Sequence, residues 1–85
     1  MTEKELAQHI ANSSVARRIV DEMGGITIDG ATLSEKYAEK MYSSCPNDIL
    51  EIDKKIMAIR HWVTCVGYGD NGELEVVMSG YIRNC

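Results

Sequence analysis

Two β-favouring runs, Trp62 to Tyr68 and Glu73 to Ile82, flank Gly69-Asp70-Asn71-Gly72, and Asn-Gly between such runs is the strongest short-range signal for a hairpin. A two-residue loop at Asn71-Gly72 or at Asp70-Asn71 gives the same facing, because shifting the pairing by two residues preserves the alternation of side chains. One face then carries Val63, Cys65, Leu74, Val76, Met78 and Ile82; the other carries Trp62, Thr64, Val66, Val77 and Tyr81. Both faces are substantially apolar. A hairpin that covers a single core turns a polar face to water, so the second face is expected to meet another element or a partner. Trp62, Tyr68 and Tyr81 are the expected anchors of such an interface, with Val66 and Val77 filling the space between them.

At 85 residues the chain is read as one globular domain, residues 1–85, large enough for a small core. Apolar residues at 45% and charged residues at 26% argue against disorder along the whole chain. A net charge of −4 disfavours a generic nucleic-acid binder, which needs a field that attracts phosphate. There is no apolar run of the ~18 residues that a membrane span requires. Met1-Thr2-Glu3-Lys4-Glu5 lacks the basic-then-apolar order of a secretory signal, so a cytoplasmic location is expected. Cys45, Cys65 and Cys85 are odd in number, widely spaced and without a Cys-x-x-Cys pair, which fits reduced thiols and neither a disulfide framework nor a zinc site.

Thr2-Glu3-Lys4-Glu5 has the form of a capping box. Leu6, Ile10, Val15, Ile19 and Met23 follow at roughly helical spacing, interrupted at Asn12-Ser13-Ser14 and stopped at Gly24-Gly25. One helix, kinked at the interruption, is preferred over two helices with Ser13 or Ser14 capping the second. Arg17 with Asp21 and Arg18 with Glu22 form supportive pairs four residues apart. Residues 26–29 alternate and are β-branched, so they can extend the hairpin to three strands. A second helix is expected from Leu33 to Ser43, begun by Thr32-Leu33-Ser34-Glu35, and a third from Asp48 onward. Ile49, Ile52, Ile56, Ile59 and Val63 step by three and four along that third helix. This seam is expected to pack on the chain's own sheet, and it also permits self-association, as does an unprotected sheet edge. The fold expected is therefore α+β: three helices with a C-terminal antiparallel β-hairpin; the alternative is that the third helix runs on through Val63 and Val66 to a stop at Gly67 and consumes the first hairpin arm, against which Trp62 to Val66 are rich in β-favouring residues.

Leu6-Ala7-Gln8-His9-Ile10-Ala11-Asn12-Ser13 resembles the Leu-Ala-x-x-Leu-Gly-Val-Ser opening of the helix-turn-helix DNA-binding family. The match spans about a fifth of the chain, with Ala11 at the turn glycine and Asn12 at an apolar position. The resemblance implies a small transcriptional regulator in which Arg17 and Arg18 contact phosphate. Pairing of those arginines with Asp21 and Glu22 accounts for them more simply.

Catalysis finds less support. His61 and Cys65 have no distinctive placement relative to each other on either a helix or a strand, and no third group is set to orient a base. Gly67-Tyr68-Gly69-Asp70-Asn71-Gly72 has a Gly-x-Gly-x-x-Gly spacing but precedes a strand, so it offers no helix N-terminus to a phosphate. The scattered aspartates lack the dense alternation of a calcium loop. No catalytic, cofactor or metal residue is assigned. The expectation is a non-enzymatic protein-binding module that modulates a partner protein, with a virus- or plasmid-encoded inhibitor of a host protein as one form. The alternative is the helix-turn-helix regulator.

Overall fold

The computed structural model describes residues 1–79. Glu3–Ala11 forms α1, and Thr2 and Glu5 close the expected capping box: Thr2 Oγ1 accepts from the Glu5 amide and Glu5 Oε1 from the Thr2 amide, each at 3.1 Å. The N-terminal segment is two helices and not one. The chain leaves helical geometry at Asn12-Ser13, where Ser13 adopts extended backbone and its hydroxyl caps α2, Ser14–Glu22, through the Ala16 amide. A serine that can satisfy an orphan amide makes a fresh start cheaper than a kink. After Met23, the Gly24 amide reaches the Asp21 carbonyl and the Gly25 amide reaches the Val20 carbonyl, the paired bonds of a Schellman stop.

Ile28–Asp29 forms β1, and Gly30–Ser44 forms α3. This helix starts earlier than Leu33 because Asp29, and not Thr32, is its cap: Asp29 Oδ1 accepts from the Thr32 amide at 2.6 Å. A 3₁₀ turn at Pro46–Asp48 leads into α4, Ile49–Trp62, followed by β2, Val63–Tyr68, and β3, Leu74–Met78. Trp62 is thus the last residue of α4 and not part of the first hairpin arm. The three strands are antiparallel in the order β1-β2-β3, with Ile28 opposite Val66 and Asp29 opposite Cys65. The architecture is α+β, with four helices because the N-terminal segment divides. Helix α4 lies between α1 and α3 and packs on both.

The hairpin turns on three residues, Asp70-Asn71-Gly72. The Gly72 amide donates to the Gly69 carbonyl at 3.0 Å, the Gly69 amide donates to the Glu73 carbonyl at 2.8 Å, and Gly72 takes a φ of +79°. This is a β-turn followed by a left-handed residue, a loop that only glycine enters at little cost. An odd-numbered loop reverses the facing of one arm relative to a two-residue loop. Tyr68 consequently stands opposite Leu74, Val66 opposite Val76, and Cys65 opposite Val77. A bulge between Val63 and Cys65 lets Val63, opposite Met78, return to the same side as Val66. Val63, Val66, Met78 and Ile28 are buried against Ala7, Ile10, Ile19, Leu33 and Ile59, with Tyr68, Leu74 and Val76 packed at the margin.

The Asp29 and Glu5 carboxyls are both held below the ordinary carboxylate range, chiefly by the backbone hydrogen bonds from Thr32 and Thr2. Folding therefore favours their charged forms. Their stabilisation is complete above the unfolded-state values and is lost as pH falls through the lowered folded-state values. Acidification below the ordinary carboxylate range is expected to reduce the thermal midpoint. Asp29→Asn, which keeps an acceptor at the cap without the titration, is expected to flatten that acid limb; superimposable pH profiles would show that the cap contributes nothing to it.

Candidate protein-binding surface

Helix α4 sets the main surface feature by what it cannot bury. Ile52, Ala58 and Ile59 point into the core, so the residues on the far side of the helix are left to solvent. Leu50 and Met57 lie two turns apart on that outer side, and Leu50 is 78% exposed. Together with Met1, just ahead of α1, and Leu6 in its first turn they line an open groove of about 590 Å³. Unpaired methionines and leucines in a concavity suit an apolar side chain of a partner, and methionine adapts its shape readily.

The rim of the groove is charged, with Glu3 and Thr2 on one wall and Glu51, Asp53 and Lys54 on the other. Lys54 Nζ lies 3.1 Å from Glu51 Oε1 within α4. The Tyr42 hydroxyl on α3 donates to Asp53, and this hydrogen bond holds the tyrosine ionisation above its ordinary value. The α1 wall is tied to the far end of α4. Trp62 Nε1 donates to Glu3 Oε1 at 3.2 Å, His61 Nδ1 lies 3.4 Å from the same oxygen, and Lys4 Nζ stands 5.8 Å from the centre of the Trp62 ring.

Of the residues expected to form one docking face on the hairpin, the described ones, Trp62, Val66, Tyr68 and Val77, do not all share a face. Val66 is 1% exposed and is a core residue. Trp62 is half-buried at the end of α4 and engaged with α1, while Tyr68, at the other end of β2, donates from its hydroxyl to Asp21 Oδ1 on α2 at 2.7 Å. That bond raises the Tyr68 ionisation, with burial adding to it. Val77 stands opposite Cys65 on the other side of the sheet from Val66 and Val76. Tyr81 lies outside the described residues. The three-residue loop and the bulge are the physical reasons: they bring Val63, Val66, Leu74, Val76 and Met78 onto the core side, where the chain's own helices α1 and α3 pack on the sheet.

The Ile seam divides similarly. Ile52 and Ile59 are 2% and 0% exposed, Ile56 is half-buried, and only Ile49, at 49%, faces water. Leu50 and Met57, absent from the hairpin and seam expectations, carry the accessible apolar surface instead. Their signal in the sequence is a pair of apolar residues seven apart on the side of α4 away from Ile52 and Ile59.

On α2 the expected pairs are replaced. Asp21 accepts from Tyr68 and Glu22 pairs with Lys40 at 2.8 Å, so Arg17 and Arg18 are exposed and make no ion pair among the described residues. Among the described residues no group of three or more His, Cys, Asp or Glu side chains is placed to hold a metal ion, and no helix is long and apolar enough to cross a membrane. No known family model matches the chain, and comparison with curated proteins and with solved structures finds no match.

Proposed function

We propose that the chain is a non-enzymatic protein-binding module that modulates the activity of a partner, and that the α1–α4 groove is its docking surface. The observation that carries this reading is that exposed Met1, Leu50 and Met57 share a single concavity with half-buried Leu6. Exposing Leu50 to water brings the fold nothing, whereas burying it against a partner removes apolar area at about 25 cal/mol per Å². The polar side chains around the groove are three carboxylates, the Lys54 ammonium and the Thr2 hydroxyl, suited to a rim that fixes orientation. Small size, acidity and a surface devoted to contact also suit a virus- or plasmid-encoded inhibitor that acts by covering a host protein.

Leu50→Glu places a charge in the groove while leaving the core untouched. The variant is expected to keep its helical circular dichroism and thermal midpoint and to lose capture of the partner that the unaltered chain retrieves from a lysate of its native cells. Retained capture would remove the groove from the docking surface.

The regulator reading keeps one observation in its favour: α1 and α2 are joined by two residues, and α2 presents Arg17 and Arg18 without acidic partners. Under that reading, DNA affinity falls steeply with salt and drops at least about tenfold in the Arg17→Ala, Arg18→Ala variant. Salt-independent or absent DNA binding rejects it.

A further inference from the structure

We infer that a second copy of this chain occupies the α1–α4 groove when the partner does not, α4 packing antiparallel on α4 of the other copy about a twofold axis between Asp53 and Lys54; this rests on the groove being the docking surface, for which partner and second copy then compete. The argument is one of self-complementarity. A twofold interface demands a patch whose own halves match when one is rotated onto the other. Leu50 and Met57 lie symmetrically about the midpoint between Asp53 and Lys54, and all four line the same groove. Placing Leu50 opposite Met57 of the second copy therefore brings Asp53 opposite Lys54 of the second copy, twice by symmetry. The apolar and the ionic contacts are satisfied by a single register.

Charges that would clash in a parallel arrangement become complementary in this one. Lys54 and Asp53 are both exposed; Lys54 pairs with Glu51 one turn away, and Asp53 accepts from Tyr42 through Oδ1. In the pair it gains a second carboxylate. Met1 and Leu6 of each copy flank the contact, so the side chains of Leu50 and Met57 from the other copy enter a lined concavity and not a flat surface.

The test is sedimentation equilibrium of the full chain and three charge variants at up to about 100 μM, a concentration that populates assemblies of micromolar affinity. The unaltered chain is expected to dimerise. Asp53→Lys alone and Lys54→Asp alone set like charges opposite each other and are each expected to weaken the dimer at least about tenfold, two contacts being lost per variant. The double variant Asp53→Lys, Lys54→Asp restores the pairing and is expected to dimerise again. Circular dichroism of each variant shows that it is folded. A monomeric unaltered chain, or single reversals that leave the dimer unchanged, would overturn the inference. The docking reading fails separately: a monomeric chain whose partner capture is lost in Leu50→Glu leaves the groove intact as a docking surface and removes only the second copy from it.

Discussion

Gly30→Ala is expected to lower the unfolding free energy by about 3 kcal/mol, at or above the upper end of the usual cost of forcing an extra methyl into a packed site. Gly30 is the first residue of α3 and is buried where the chain passes from α4 into β2. A Cβ added there runs into the carbonyl group of Val63, with the Ile59 carbonyl 3.6 Å away. A flexible side chain could step aside, but Val63 is held by its pairing with Met78 and by burial in the core. The remaining escape is for α3 to lift away from β2. That motion pulls on Asp29, which caps α3 and pairs with Cys65 in the sheet, so cap and β1–β2 ladder are strained together. For a domain of this length, whose whole stability is about 4 to 13 kcal/mol, the loss is a large fraction. Urea titration should show it as a lower midpoint at unchanged slope. A midpoint within about 0.5 kcal/mol of the unaltered chain would mean that the close approach is absent.

The second large effect separates the two sides of α4. Ile59→Ala is expected to cost about 2 to 5 kcal/mol, the range for truncating a fully buried aliphatic side chain and leaving a cavity. Ile59 has no solvent exposure and packs among Ala7, Ile10, Leu33 and Val63 in the region shared by helices and sheet. Ile49→Ala, one end of the same apparent seam, is expected to change stability by less than about 0.5 kcal/mol, since Ile49 is half exposed and outside the core. Thermal unfolding of the two variants side by side reads the contrast directly. Equal losses would make the seam a uniform packing stripe.

Periodicity and capping made much of this architecture legible in the sequence. The Thr2-Glu5 box, the glycine stop after Met23, the short strand ending at Asp29, the breaker at Pro46 and the β-rich run after Trp62 all correspond to features of the fold. What escaped were choices between local geometries of similar cost. Asn71-Gly72 serves equally as a two-residue loop or as the end of a three-residue loop with Gly72 left-handed, and only the second places Tyr68 opposite Leu74. The bulge between Val63 and Cys65 has no signature in residue type, yet it decides which valines meet the core. Those two steps moved Val66 from an expected interface to the interior and separated Val77 from Tyr68. The break at Ser13 was visible as a capping residue inside an otherwise helical stripe, and its weight depended on whether α2 could pack at an angle to α1.

The docking surface was the least legible part. Leu50 and Met57 carry no motif; they become notable only once Ile52 and Ile59 are known to point inward and Met1 and Leu6 to lie alongside. An exposed apolar pair on a helix is common, and its meaning comes from the concavity that a neighbouring helix supplies.

Backbone amide shifts of the isotopically labelled chain, recorded as the captured partner is added, test the placement of the docking surface most directly. The shifts are expected to concentrate between Thr2 and Leu6 and between Leu50 and Met57, with the sheet little affected. Shifts concentrated instead at Cys65, Glu75 and Val77, on the outer side of the sheet, with Leu50 and Met57 unmoved, would contradict it.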